Sequence, residues 1–175
     1  MNKTLLLASA ATLIAFNANA ADIKPYVGAD IGYSHAELYE PWNIFDDNFV
    51  IGSFNVGTKI SDYFGLETSV QTSAKTESYG IDLSYNSYGI DAFGYLPVNN
   101  NVELFASAGV GFYEFEAEGY GYSLSEEETA LRVGLGAQYN INDNWGIRGM
   151  LKHAFVDSYS VDNITELSAG VRYSF

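Results

Sequence analysis

Apolar and polar residues alternate one by one along most of the chain, and the alternation comes in eight runs, 25–34, 49–60, 64–75, 87–97, 102–113, 129–141, 145–156 and 164–175. A period of two sends successive side chains to opposite faces, so each run predicts a β-strand. No stretch keeps a helical period for more than two turns. Three connections are short and rich in turn formers: Ser61-Asp62-Tyr63, Val98 to Asn101, and Asn142-Asp143-Asn144. Asn and Asp suit such turns because they tolerate left-handed backbone. The other four, 35–48, 76–86, 114–128 and 157–163, are longer. Short turns alternating with long loops predict an antiparallel up-and-down sheet with both chain ends on the short-turn side.

The two faces of these strands differ in kind. One carries Ile31, Tyr33, Phe54, Val70, Ile90, Leu104, Val110, Leu135, Leu151 and Leu167 among others, with no Lys, Arg, Asp or Glu. The other holds Asp30, Lys59, Glu67, Lys75, Asp91, Glu103, Arg132, Arg148, Lys152, Glu166 and Arg172, five acids and six bases. It also takes 11 of the 17 glycines, while the apolar face has only Gly52, Gly94 and Gly149. A solvent-washed face has no use for glycine, which weakens strands. A narrow lumen crossed by long charged side chains does, because those chains need room opposite them. The reading is therefore all-β: an eight-stranded antiparallel transmembrane β-barrel, polar inside and apolar towards lipid. Each run also matches the roughly 9–11 residues a tilted strand needs to cross a bilayer. A soluble barrel with its apolar face turned inward around a ligand is the alternative. Glycine placement and the balanced charges speak against it.

The chain begins with Lys3, an apolar run from Leu5 to Phe16, and Asn17-Ala18-Asn19-Ala20. This is the pattern of a signal peptide cut between Ala20 and Ala21, leaving residues 21–175 as one barrel domain. The run is shorter than the roughly 20 residues of a spanning helix. Export would permit disulfides, but the chain has no cysteine. Removing Lys3 with the leader leaves 22 acids against 7 bases, a net charge near −15. Such a chain repels phosphate backbones, so nucleic acid is not an expected partner.

Over its mature length the sequence resembles the small outer-membrane β-barrel family, the opacity-type porin family together with OmpA-like transmembrane barrels. The resemblance is carried by Tyr26-Val27-Gly28-Ala29-Asp30-Ile31-Gly32-Tyr33, Tyr63-Phe64-Gly65-Leu66-Glu67, Phe105-Ala106-Ser107-Ala108-Gly109-Val110-Gly111-Phe112 and Trp145-Gly146-Ile147-Arg148-Gly149. Its most specific part is the ending, where Leu167, Ala169, Val171, Tyr173 and Phe175 alternate to a final aromatic. In that family the ending is the signal read by the barrel-assembly machinery. The resemblance implies a monomer in the outer membrane of a Gram-negative bacterium, in contact with lipid and lipopolysaccharide. One departure is Met150, where relatives often carry an acid.

An eight-stranded barrel is just wide enough for side chains to fill. With eleven charges and Tyr26, Phe93, Tyr95 and Phe105 pointing in, the lumen should be plugged and its charges should form a structural network. The open alternative is a narrow porin-like channel for ions or small solutes. Catalysis is not expected. A lipid A deacylase of this size would carry His-x-Ser, whereas His153 is followed by Ala154 and Phe155. His35 beside Ser34 is the other candidate, read as a strand-end residue at the headgroup level. No cofactor is indicated, and the two histidines have no metal-ligand spacing. The long loops collect 14 acids: Glu37, Glu40, Asp46, Asp47, Glu77, Asp82, Glu114, Glu116, Glu118, Glu126, Glu127, Glu128, Asp157 and Asp162. No Lys or Arg falls within those loops as bounded here. They form either a solvated repulsive surface or a cap that engages divalent cations or a basic surface partner.

Overall fold

The computed structural model describes residues 23–38, 48–78, 81–119, 122–156 and 161–175, which are strands and turns with no helix. The strands are β1 (Lys24–Leu38), β2 (Asn48–Ser61), β3 (Phe64–Ser73), β4 (Thr76–Ser78), β5 (Ile81–Pro97), β6 (Val102–Gly119), β7 (Tyr122–Asn140), β8 (Trp145–Val156) and β9 (Val161–Ser174). Sequence neighbours pair antiparallel except β3 and β4, β1 also pairs with β9, and β3 pairs with β5 to close the ring. Because β3 and β4 lie end to end against β5, the wall has eight strands. Closure leaves no lipid-exposed sheet edge across the bilayer, which a spanning sheet requires.

The short turns are held by asparagine. Asn99 Oδ1 accepts from the backbone N–H groups of Asn101 and Val102 at 2.9 Å, and Asn142 Oδ1 does the same for Asn144 and Trp145 at 3.0 and 2.7 Å. The start of β1 and the end of β9 meet on that side, where the Phe175 N–H donates to the Pro25 carbonyl at 3.0 Å.

Ile31, Tyr33, Phe54, Leu96, Leu131, Leu135, Leu151 and Leu167 are among the exposed apolar residues, and all point outward. Aromatics mark both ends of this band. Tyr63, Phe64, Trp145, Tyr173 and Phe175 lie near the turns, with Trp145 packed edge-on to Tyr173 at 5.0 Å. Tyr33, Phe155 and the stacked pair Tyr88–Phe112 lie towards the loops. On β8, Phe155 follows Trp145 by ten residues. At about 3.3 Å per residue and a tilt near 40° this is roughly 25 Å, the height of an outer-membrane apolar band.

The sequence reading placed several strand ends too early. Residues 114–128 are mostly strand: β6 and β7 stay paired from Tyr113↔Glu128 to Gly119↔Tyr122. Their alternation is masked by glutamates, which are as tolerable as any polar residue once the strand has left the membrane. Likewise β5 begins at Ile81, within the expected loop 76–86. Residues 1–22, with the expected leader and its cut between Ala20 and Ala21, lie outside the described residues, as do Glu40, Asp46, Asp47 and Asp157.

Candidate functional site

The inward face builds a layered lumen. Nearest the short turns, Lys59 donates to Glu103 at 2.7 Å and sits 4.3 Å from the Tyr95 ring centre. Above lies the densest cluster, centred on Glu67 of β3. Its carboxylate accepts from Arg148 Nη1 at 2.7 Å and Nη2 at 3.2 Å, from Arg172 Nη2 at 3.2 Å, and from the Tyr26 hydroxyl at 3.0 Å. Arg148 is on β8, four strands round the ring from β3, so this contact ties opposite walls together. The same guanidinium grips Asp30 of β1 with Nε at 2.9 Å and Nη2 at 2.7 Å. Asp30 also accepts from Asn55 at 2.7 Å and Ser53 at 3.2 Å. Arg172 lies over the Tyr26 ring, 3.8 Å from its centre.

The next layer up pairs Arg132 with Asp91 through two guanidinium nitrogens, Nη2 closely and Nε at 3.2 Å. Lys152 stands 3.5 Å from Glu166, which also accepts from Gln71 at 2.7 Å and from the Tyr85 hydroxyl at 3.3 Å. Towards the loops the lumen turns apolar: Ala36, Phe49, Ile51, Tyr85, Tyr113, Ala130, Ala154, Val156 and Ile164 form one buried cluster. A second cluster, Phe93, Tyr95, Phe105 and Met150, packs beside the lower charges. Met150, in place of an acid, therefore serves as packing.

Glycine makes room for this filling. A Cβ at Gly57 would overlap the Tyr26 ring and the Leu66 carbonyl, and one at Gly89 would press on the Arg132 guanidinium and the Val110 carbonyl. At outward Gly52 and Gly94 a Cβ would meet nothing.

Ten of the eleven charged residues read as inward, Asp30, Lys59, Glu67, Asp91, Glu103, Arg132, Arg148, Lys152, Glu166 and Arg172, line this lumen with an oppositely charged partner each. Lys75 lies outside the lumen, exposed at the loop end between β3 and β4. The pairing explains why. Thr72↔Asn86 is followed by Thr76↔Leu83, so residues 73–75 oppose only Ser84 and Tyr85. One inserted residue breaks the period of two. Its departure balances the lumen at five acids and five bases, and it places a base at the otherwise acidic end. Sequence reasoning missed the neutral partners Asn55 and Gln71 and the upper apolar cluster. Inward parity carried two residues past the assigned strand ends would have found Tyr85 and Ala36.

The remaining candidates are simpler. Leu167, Ala169 and Val171 face outward on β9, followed by Tyr173 and Phe175, whose rings meet edge-on at 5.2 Å. His153 is bonded through Nδ1 to Thr165 Oγ1 at 2.9 Å and packs on Phe155, and His35 Nδ1 lies 3.3 Å from Asn48 Oδ1. Of the loop acids, Glu37 and Glu127 are exposed and Glu114, Glu116 and Glu128 half-buried. Among the described residues no group of three or more acidic, His or Cys side chains is arranged to hold a metal.

A closed eight-stranded barrel with an apolar outer band and a charged, filled lumen is an integral outer-membrane protein. The comparisons give the family: the outer membrane protein beta-barrel domain matches residues 4–175, and the chain belongs to that family of Gram-negative outer-membrane proteins. Among solved structures it is similar to Ail, the attachment invasion locus protein of Yersinia pestis, at 23% identity and a TM-score of 0.62, covering 86% of this chain and 98% of Ail. Neisserial surface protein A is similar at 16% identity and a TM-score of 0.70, covering 90% and 100%. OprG from Pseudomonas aeruginosa follows at 12% identity and a TM-score of 0.57, covering 90% and 97%. At these identities the structural matches show a shared fold. None of the curated proteins compared matches it by sequence.

Proposed function

We propose that this barrel is a closed, monomeric surface protein that adds structure to the outer membrane and makes contacts through its acidic loop end, without conducting solutes or catalysing a reaction. The observation that carries the reading is the lumen: five acids and five bases neutralise one another under an apolar layer. Unpaired charges would be costly there, so the lumenal residues serve as an internal brace. His153 bonds Thr165 Oγ1 through Nδ1 and packs on Phe155, a contact that supports a structural rather than a catalytic role.

The acidic end engages divalent cations, which bridge it to lipopolysaccharide, or a basic partner. A crystal structure of Ail contains the heparin analogue sucrose octasulfate. Polyanions of that kind are the wrong sign for the present chain, whose Glu37, Glu114, Glu116, Glu127 and Glu128 repel them. The outer-membrane route fits a leader removed between Ala20 and Ala21 and a β9 ending read by the barrel-assembly machinery. A mature mass starting at Ala21 and a drop in membrane yield on deleting Phe175 are the respective readouts.

Single-channel recording of the refolded chain in a planar bilayer tests the central claim. The expected trace shows no stepwise conductance. Regular steps that change size when Arg148 or Lys152 is neutralised would establish the narrow channel instead.

A further inference from the structure

We infer that Thr165 and the two histidines form a row that binds a phosphate group of the outer-leaflet glycolipid, gripping it directly. This goes beyond the bridging reading above, which needs a divalent cation and the acidic loop end. His35 and His153 are the chain's two histidines, and they lie far apart in the sequence. Strand pairing sets both against one residue. Thr165 of β9 lies opposite His35 of β1 on one side and His153 of β8 on the other. Asn48 of β2 continues the row opposite His35. With neighbouring strands about 4.8 Å apart, the two histidines stand about 10 Å from each other with Thr165 between them.

The row faces outward at the upper limit of the apolar band. One outward position below it come Val50, Tyr33, Leu167 and Leu151, all exposed. One position above come Glu37 and Phe155, with Asn163 paired to both. This step from apolar to polar puts the row where lipid headgroups begin. On the loop side of a Gram-negative outer membrane those headgroups belong to lipopolysaccharide, whose lipid A carries phosphates. The side chains suit that anion. His153 Nδ1 is 2.9 Å from Thr165 Oγ1. If the hydroxyl donates, the ring keeps Nε2–H as a donor; if the ring donates, the hydroxyl proton is left. Either tautomer presents a donor to a phosphate oxygen, and a protonated ring adds charge to the bond. Phe155, edge-on with ring centres 4.6 Å apart, covers one side of the His153 ring. His35 closes the row from β1, its Nδ1 3.3 Å from Asn48 Oδ1. Glu37, on the same face two residues above His35, repels an anion near β1, so the phosphate sits at the Thr165–His153 end. Among the described residues no Lys or Arg faces outward at this level of β1, β2, β8 or β9, which leaves positive charge there to the imidazoles.

The test places the full mature chain in phosphatidylcholine nanodiscs doped with diphosphorylated lipid A, with EDTA present to remove divalent cations. Native mass spectrometry should show lipid A retained on the barrel about fivefold over its dephosphorylated form. The His153 ring resonances should shift when the phosphorylated lipid is added. The double variant His35→Ala, His153→Ala should lose most of the preference and Thr165→Val a smaller part, each still showing the heat-dependent gel shift of a folded barrel. Undiminished retention in the folded double variant overturns the row. Retention that appears only when Mg²⁺ replaces EDTA assigns the lipid to a cation bridge and overturns the direct grip, while leaving the acidic-end reading intact. Equal ring shifts with phosphatidylglycerol or with inorganic phosphate overturn the assignment to the glycolipid.

Discussion

Two parts of this barrel are crowded with carboxylates, and they treat them in opposite ways. In the lumen every acid has a base within 4 Å, and Glu67 answers to two arginines and a tyrosine. On the β6–β7 extension Glu114 faces Glu127 across the sheet with no base among residues 114–128. The difference lies in solvent access. A buried ion loses hydration worth several kcal/mol and must recover it from partners, whereas water and salt screen an exposed one. Pairing is a condition for being inside, and one-signed charge is allowed only where water reaches it.

The most severe way to break this contrast is to remove the lumenal hub. Glu67→Ala leaves Arg148 sharing Asp30 alone and Arg172 without a carboxylate, at a cost of about 3–5 kcal/mol. Urea unfolding in lipid vesicles should show the lower midpoint. An unchanged midpoint would mean that water already reaches Glu67. A smaller loss is expected where room rather than charge is removed. Gly57→Ala forces the Tyr26 ring and its bond to Glu67 aside, costing about 1–3 kcal/mol, while Gly52→Ala on the lipid face should be near neutral. Equal effects of the two would show that the lumen repacks freely. The smallest change should come from the extension and carry the opposite sign. Glu127→Gln removes one of two facing charges and should stabilise by about 0.2–1 kcal/mol at low salt. That gain should fade as salt rises, and a destabilised Glu127→Gln would reveal a partner for that carboxylate.

The sequence by itself determined a good deal. A period of two fixes which side chains share a face, so strand identity, the lipid-facing surface and ten of the eleven lumenal charges were readable residue by residue. Turn positions followed from Asn and Asp, and the glycines showed which face was crowded. Their logic is local, because each depends on neighbours one or two places away. Tertiary structure decided the rest. Nothing in the spacing of Glu67 and Arg148, 81 residues apart, says that they meet across the lumen; barrel closure and stagger bring them together. Lys75 kept the right parity and still left the lumen, because one inserted residue opposite β5 broke the period. The strands above the membrane were hidden because outside lipid both faces tolerate polar residues, and their pairing from Tyr113↔Glu128 to Gly119↔Tyr122 had to come from the sheet. Alternation is written in the chain. Register, pairing partners and the point where one strand outlasts its neighbour are properties of the closed sheet.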